Sequence, residues 1–141
     1  MLHHATYFLR DVLYGLMTYA NKRQQRLNVP IDLRIPKKLF LKKLAKARFL
    51  SGVTATGAAL RAVAALQFLR KTDIIVVTDG FTFDTVGVEA QKLRKLPNIR
   101  VLVVGNYSPV VKKVLDDIAG DSNNVLLGNQ SVQRLLNLLK C

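Results

Sequence analysis

The chain has 141 residues, half of them hydrophobic, and 22 Lys and Arg side chains against nine Asp and Glu give a formal net charge of +13. This length is typical of one domain, so we expect residues 1–141 to form a single unit. The charge favours acidic partners such as nucleic acid, anionic lipid or an acidic protein surface. No apolar stretch approaches the roughly 20 residues of a membrane-spanning helix, so we expect no membrane span.

The first predicted elements lie in the basic N-terminal part. Apolar side chains recur there at three- and four-residue steps and predict an amphipathic helix over residues 5–26: Phe8, Val12, Leu16 and Tyr19. Residues 29–35 then alternate polar and apolar side chains between Pro30 and Pro36. Because proline cannot donate to a central ladder, this pattern predicts a short edge strand.

Pro36 is well placed to start a second helix, over residues 36–49, which carries the most basic face of the chain. With simple charge attraction, this face is a candidate site for a polyanion such as a heparin-like glycan or nucleic acid: Lys37, Lys38, Lys42, Lys43, Lys46 and Arg48. A solvated helix face is the alternative, since no aromatic platform or recognised nucleic-acid motif accompanies the cations.

From residue 57 onward the predicted elements alternate between helix and strand. Helices are expected over 58–69, 84–96, 109–119 and 131–140, and strands over 73–79, 99–105 and 124–127. The two longer strands are near-continuous apolar runs, which is typical of parallel strands covered on both faces. This order predicts an α/β fold with a Rossmann-like, doubly wound, mostly parallel sheet, with Asp79 at the carboxyl end of a strand. Asp84 or Thr85 is the expected cap of the helix over 84–96.

A loop rich in glycine and hydroxyl groups, Ser51–Gly57, precedes one of these helices. It is not a phosphate-binding P-loop, because Gly57 is followed by two alanines and not by Lys and Ser or Thr. Because the loop and Asp79 are expected at the same sheet edge, their oxygen atoms could gather around Mg²⁺, Mn²⁺ or Ca²⁺. The alternative is that Thr54 and Thr56 only cap the helix and that Asp79 only starts a turn.

The sequence offers little support for a catalytic site or a zinc site. Adjacent His3 and His4 diverge on a helix or a strand, so we expect no zinc site. Neither a Gly-x-Ser-x-Gly elbow nor a Cys/His pairing occurs, and we therefore expect no enzymatic activity. The sole cysteine, Cys141, has no partner within the chain, so it is either a free thiol or paired elsewhere.

Two segments together resemble a known family. Ser51–Leu60 is similar to the Gly-x-Thr-x-Thr-Gly-x-Ala-Leu segment of von Willebrand factor type A domains, and Val76–Gly80 resembles their strand that ends in Thr-Asp-Gly. The resemblance covers about residues 36–141. It implies the same Rossmann-like fold, a non-catalytic protein-binding or adhesion function, a matrix or cell-surface protein as partner, and an extracellular location as part of a larger protein.

The resemblance also implies site residues. Thr54 would be the threonine ligand and Asp79 the aspartate ligand of the family's metal ion-dependent adhesion site, which takes Mg²⁺ or Mn²⁺ in complete homologues. The family's Asp-x-Ser-x-Ser loop and the central strand before it are not found, so we expect an N-terminally truncated domain. A partial site falls short of the about six oxygen ligands that hard cations take, so we expect no tightly bound metal. The missing strand would expose an edge of the strand at 73–79, unless residues 29–35 fill the gap.

Overall fold

The computed structural model describes residues 12–47, 50, 52–105 and 109–139. The helices and strands of this part are, in chain order, β1 (Leu16–Tyr19), β2 (Gln25–Val29), α1 (Lys37–Ala45), α2 (Thr56–Ala64), β3 (Thr72–Thr78), α3 (Gly87–Arg94), β4 (Ile99–Gly105), α4 (Lys112–Ala119), β5 (Val125–Leu126) and α5 (Ser131–Leu139). Short 3₁₀ turns, Ile31–Leu33 and Ser122–Asn124, precede α1 and β5. None of the described helices has the length and apolar character needed to cross a membrane.

The centre of the fold is a parallel sheet with the strand order β3-β4-β5. Thr72 lies opposite Ile99 and Thr78 opposite Gly105, while Val103 pairs with Val125. Long β-branched runs form these strands because their stiff side chains pack well on a pleated surface that is covered by helices. The prediction of a mostly parallel, Rossmann-like α/β sheet is confirmed, and so are its three strands.

The hydrophobic core lies between one face of this sheet and helices α2, α3 and α4. Its buried side chains come from all three helices and all three strands: Leu60, Val76, Leu93, Val101, Val103, Leu115, Ile118 and Val125. Successive strand residues point to opposite faces, so Ile75 and Val77 leave the core and are 40% and 54% exposed. On that second face, the Arg100 guanidinium pairs with Asp73 at 2.7 Å and donates to the Leu138 carbonyl of α5 at 2.8 Å.

The helix predicted over residues 5–26 is wrong where the structure describes it. Strands β1 and β2 form an antiparallel hairpin in which Leu16 lies opposite Val29 and Tyr19 opposite Gln25. The polar segment that follows β1 is a turn, because the Asn21 side chain accepts a hydrogen bond from the Arg23 N–H at 2.9 Å. Residues 5–11 of the predicted helix lie outside the described residues.

The edge strand predicted over residues 29–35 is also wrong. The strand ends at Val29, residues 31–33 form the 3₁₀ turn, and Arg34 adopts a left-handed conformation with a φ of +51°. The strand that does form pairs with β1 and not with β3. Residues 29–35 therefore do not fill the gap beside β3, and one edge of β3 is not paired with any strand in the described part of the chain.

The other predicted helices are all present, with shifted ends. The helix predicted over 36–49 is α1, which ends at Ala45, and residues 48 and 49 of the predicted range lie outside the described part. The helix predicted over 58–69 is the shorter α2. Helix α3 begins at Gly87 and not near residue 84, and α4 begins at Lys112 and not near residue 109. The late start of α3 has a specific cause, since Asp84 caps another helix.

Helices α3 and α4 are tied together by Arg94. Its guanidinium Nη1 donates to the carbonyl oxygens of Asp117 at 2.7 Å and Ile118 at 2.9 Å. These carbonyls belong to the last turn of α4, where helix carbonyls lack intrahelical partners and carry partial negative charge. The helix ends at Gly120, whose φ is +76° and where a Cβ would overlap the Arg94 side chain. Glycine is needed at this position because it adopts the left-handed conformation of the helix end and because it has no Cβ to prevent the close approach of Arg94.

We expect Arg94→Ala to lower the free energy of unfolding by about 1–3 kcal/mol, because two carbonyls lose a charged donor. Arg94→Lys keeps the charge but loses the planar fork, so it should restore less than the full stability. Urea denaturation followed by circular dichroism measures both. Lys92→Ala, which removes an exposed cation from the same helix, is the matched control. An Arg94→Ala midpoint equal to that of the control would contradict a stabilising role.

Candidate functional site

The carboxyl end of β3 is held in a fixed turn. The Asp79 Oδ1 atom accepts a hydrogen bond from the Phe81 N–H at 2.9 Å, and the Asp79 carbonyl accepts one from the Val111 N–H at 2.8 Å. Gly80 is buried with a φ of +89°, and a Cβ there would lie 2.8 Å from the Val111 carbonyl oxygen. Only glycine combines this backbone conformation with such a close approach. The other carboxylate oxygen of Asp79 accepts no hydrogen bond from the described residues.

The loop that contains Thr54 lies beside this turn. The Thr54 carbonyl accepts a hydrogen bond from the Phe83 N–H at 2.9 Å. On the other side, the Ala55 N–H donates to the Ala20 carbonyl at 2.6 Å and so joins the loop to the β1–β2 hairpin. The structure thus brings the Thr54 loop next to the segment that follows Asp79, and the Thr54 hydroxyl has no hydrogen-bond partner among the described residues.

Asp84 fastens these two loops together. One carboxylate oxygen accepts from the Gly57 N–H at 2.9 Å and from the Thr82 hydroxyl at 2.7 Å, and the other accepts from the Ala58 N–H at 2.8 Å. These N–H groups open helix α2, so Asp84 caps α2 and not the helix that follows Asp84 in sequence. The predicted cap is therefore wrong in its target. The alternative that Thr54 and Thr56 cap α2 is wrong too, because its N-cap, Ala55, has no side-chain cap.

Gly57 permits this contact between chain segments far apart in sequence. A Cβ at position 57 would overlap the Thr85 carbonyl oxygen and would lie 3.0 Å from the Asp84 carboxylate. The glycine is therefore required by close packing, a role that the sequence analysis did not identify. The sequence carries no clear signal for the contact, because Thr54 and Thr56 both lie where a capping hydroxyl is expected. Only the structure shows that the N-cap is Ala55, so that the first N–H groups of α2 need an acceptor from elsewhere.

The electrostatics of Asp84 reflect two opposing effects. Burial alone would raise the pKa of its carboxyl, because it disfavours the charged form. Hydrogen bonds from the Thr82 hydroxyl and from the Gly57 and Ala58 N–H groups outweigh this effect, and the pKa of Asp84 is lower than its ordinary value. The carboxylate is thus matched to the positive end of α2 and stays ionised at neutral pH.

The residues predicted as metal ligands do not by themselves fit a tight cation site. Thr54 and Asp79 bring one hydroxyl and one carboxylate, and one oxygen of that carboxylate already accepts from the Phe81 N–H. Mg²⁺ prefers an octahedron of oxygen ligands. The nearby carboxylate of Asp84 is engaged in capping. In the described parts of the chain, no group of three or more His, Cys, Asp or Glu side chains could hold a metal ion.

The surface above the two loops is both apolar and basic. A shallow cleft of about 360 Å³ is lined by the hairpin turn, by the Thr54 loop and by the segment after β3: Asn21, Lys22, Arg23, Val53, Ala55 and Phe83. Phe83 is 80% exposed and Phe81 is 54% exposed. Large exposed apolar groups rimmed by polar side chains are typical of interaction sites. The sequence analysis did not identify these aromatic residues.

No described residue of the basic helix lines this cleft. Lys37, Lys38, Lys42, Lys43 and Lys46 are all exposed, and Arg48 lies outside the described residues. Lys43 and Lys46 line a second cleft, of about 270 Å³, together with Arg26, Asn28 and Ala47. The structure therefore gathers part of the predicted polyanion site and adds two residues from β2 that the sequence analysis did not consider.

Comparisons with known proteins agree on the fold. Residues 5–139 match the family model of the von Willebrand factor type A domain, which begins well before the resemblance noted from residue 36. Among solved structures, proximal thread matrix protein 1 from the mussel byssus, with a zinc-occupied MIDAS motif, has a TM-score of 0.75 at 23% identity. The similarity covers 90% of this chain and 35% of that protein, so the chain spans about a third of its length.

Two bacterial proteins show the same architecture. An aerotolerance-related membrane protein from Bacteroides fragilis has a TM-score of 0.65 at 16% identity, over 86% of this chain and 75% of its own. The conserved hypothetical protein BatB from Bacteroides thetaiotaomicron has a TM-score of 0.63 at 16% identity, over 97% and 82%. At these identities the likeness concerns the fold alone. No match was found among curated proteins.

We expect Asp84→Ala to lower the free energy of unfolding by about 1–3 kcal/mol, because the Gly57 and Ala58 N–H groups lose their acceptor. Asp84→Asn keeps an acceptor oxygen and should be less destabilised. Chemical denaturation at neutral pH measures both. Asp121→Ala is the control, since Asp121 caps only the exposed 3₁₀ turn at 122–124. An Asp84→Ala loss no larger than that of the control would contradict the proposed link between the loops.

The contribution of Asp84 should also depend on pH. Since its pKa is lower in the folded than in the unfolded state, the stability it contributes is fully present above the ordinary Asp pKa of about 3.9. It is lost as the pH falls through the lowered pKa. The difference in unfolding free energy between the native chain and Asp84→Ala should therefore be constant near neutral pH and shrink in acid. A difference that grows in acid would reverse the assignment.

Proposed function

Because the chain belongs to the von Willebrand factor type A domain family, we propose that it is a non-catalytic protein-binding or adhesion module. Members of this family are generally protein-interaction modules. The proposed ligand face consists of the Thr54 loop, the segment 79–84 and the hairpin turn at 21–23. We propose that residues 1–141 act as one domain within a larger protein.

The observation that carries this proposal is that Phe81 and Phe83 are exposed while hydrogen bonds fix their backbone. The Phe83 N–H is bonded to the Thr54 carbonyl and the Phe81 N–H to the Asp79 carboxylate. Aromatic side chains on a fixed backbone lose little conformational freedom on binding, and aromatic residues, Phe included, are enriched in the cores of interfaces. The neighbouring Lys22 and Arg23 favour a partner that carries acidic groups beside its apolar contact.

The setting in which the module works is also a proposal. We infer an extracellular location and a matrix or cell-surface protein as partner. The mussel protein with this fold is named a thread matrix protein, which supports this inference. One of the bacterial proteins is named a membrane protein, so the fold also occurs in a different setting.

Thr54 and Asp79 remain the proposed positions of a partial and weak metal site. The mussel protein is described with zinc in its MIDAS motif, so the fold can hold a metal ion at a complete site. In a complete homologue the ion would be Mg²⁺ or Mn²⁺. We propose that binding by this chain does not need a tightly held cation, since the two residues supply too few oxygen ligands.

A second candidate function is polyanion binding by a basic α/β module through the helix predicted over 36–49. The specific observation in its favour is the cleft that gathers Lys43 and Lys46 with Arg26. Heparin-like glycans and nucleic acid are the ligand classes that this charge would attract.

Metal binding is tested by isothermal titration of the chain with Mg²⁺ or Mn²⁺. We expect little heat and no rise in melting temperature, because a ligand stabilises the folded state only to the extent that it binds that state. The variants Thr54→Ala and Asp79→Ala should give the same trace as the native chain. Tight binding that is lost in both variants would contradict the proposal.

The ligand face is tested by capture of matrix and cell-surface proteins, followed by affinity measurement with the partner obtained. We expect Phe83→Ala, alone or with Phe81→Ala, to weaken the complex at least about 30-fold, as loss of a hot spot does. Leu69→Ala is the control, because Leu69 is 90% exposed and precedes β3 at the opposite end of the strand. Binding should persist in a metal chelator. Equal losses in Phe83→Ala and Leu69→Ala would contradict the proposed face, and loss in chelator would contradict metal independence.

A further inference from the structure

We infer that the cleft between β2 and α1 binds a sulfated saccharide, an inference that rests on the second candidate function and gives it a defined site. The cleft has a volume of about 270 Å³ and is lined by Arg26, Asn28, Lys43, Lys46 and Ala47. It is separate from the ligand face proposed above, with which it shares no lining residue.

The cleft is built by two elements of different kinds. Arg26 and Asn28 are two residues apart on β2, so their side chains leave the same face of the strand. Lys43 lies in the last turn of α1 and Lys46 follows as its C-cap, three residues later and therefore on the same side of the helix. Ala47 has a small side chain and leaves space between the two pairs. Three cations and one amide thus converge on one volume.

The positive charge of the cleft is not neutralised by the protein. None of Arg26, Lys43 and Lys46 forms an ion pair with a described residue. Residues 12–47 contain nine Lys or Arg side chains and a single acidic one, Asp32. Lys43 and Lys46 also complement the negative end of α1, which would explain them without any ligand. This explanation does not apply to Arg26, because it projects from a strand and not from a helix end. An anion in the cleft would relieve the repulsion between Arg26 and the two lysines.

The polar groups favour a saccharide over DNA. The Asn28 amide nitrogen donates to the Thr18 hydroxyl at 2.8 Å and to the Arg26 carbonyl at 3.1 Å, which fixes the orientation of the amide. Its oxygen accepts no hydrogen bond from the described residues and can accept one from a ligand. A sulfated saccharide offers anionic oxygens to the cations and O–H or N–H donors to this oxygen. A DNA backbone offers only acceptors, and no aromatic side chain lines the cleft for bases to stack on.

The test is isothermal titration of the full chain with a heparin octasaccharide at an ionic strength of roughly 0.15 M. The cleft variant replaces Arg26, Lys43 and Lys46 by Gln. A matched control replaces Arg34, Lys37 and Lys38 by Gln, which removes the same charge from exposed positions that do not line the cleft. Because all six side chains are exposed, both variants should fold, and the cleft variant should lose only the small stabilisation that Lys43 and Lys46 give to the end of α1.

We expect the cleft variant to weaken octasaccharide binding at least about tenfold and the control by less than about threefold, as contacts within a site are lost only in the former. Desulfated octasaccharide should bind at least as weakly as the cleft variant binds the sulfated one. Asn28→Ala should weaken octasaccharide binding and leave the affinity for a single-stranded DNA oligonucleotide unchanged.

Three results would overturn the inference in distinguishable ways. Equal losses in the two triple variants would mean that the whole basic surface attracts polyanions without a cleft site, so that the second candidate function survives. DNA binding as tight as octasaccharide binding, and equally sensitive to Asn28→Ala, would mean that the cleft does not select a sulfated saccharide over nucleic acid. No octasaccharide or DNA binding by the native chain would remove both the cleft site and the second candidate function.

Discussion

The carboxylate of Asp84 is the constraint on which the proposed ligand face depends. It joins the first turn of α2 to the segment after β3, two parts of the chain that are 26 and 27 residues apart. Charge-assisted hydrogen bonds to the open N–H groups of a helix are among the stronger ones in proteins. The Thr82 hydroxyl extends the link, since it donates to Asp84 and accepts from the Thr56 N–H at 3.0 Å. Gly57 makes the contact geometrically possible because it has no Cβ.

Because Asp84 caps α2, its carboxylate shapes the ligand face and does not add an oxygen ligand to the predicted metal site. An acidic group close to Thr54 and Asp79 serves as a helix cap, and the remaining oxygen donors are few. The same link holds Phe81 and Phe83 at the surface, where their apolar area is available to a partner. The face is therefore defined by backbone hydrogen bonds and exposed aromatic rings, and the basic cleft between β2 and α1 shares no lining residue with it.

Much of the sheet could be predicted from the sequence, because the runs at 73–79 and 99–105 are continuous, β-branched and too short for a buried helix. The position of the Thr54 loop beside the segment after Asp79 also followed from the predicted sheet, because the loop and Asp79 were both expected at one sheet edge. The hairpin β1–β2 could not be distinguished from a helix by periodicity, since the deciding signal was the turn made by Asn21. That error hid Arg26, which was placed on a helix. The role of Asp84 was missed for a different reason: its partners are distant in sequence, and capping rules consider only the adjacent helix.

The two kinds of strand pairing give the chain a mechanical polarity. In the hairpin, Leu16 lies opposite Val29, so the chain enters and leaves it at the same end, and tension along the chain opens the pairs one at a time. In the parallel pair, tension that enters at Thr72 and leaves at Gly105 acts on opposite ends of the ladder, and all seven pairs are loaded together in shear. The hairpin therefore opens at a lower force than the sheet beneath Asp79, and so does the Ala20–Ala55 hydrogen bond that joins the hairpin to the Thr54 loop. In a molecule that is pulled while bound, the hairpin side of the ligand face yields first and the Asp79 side persists.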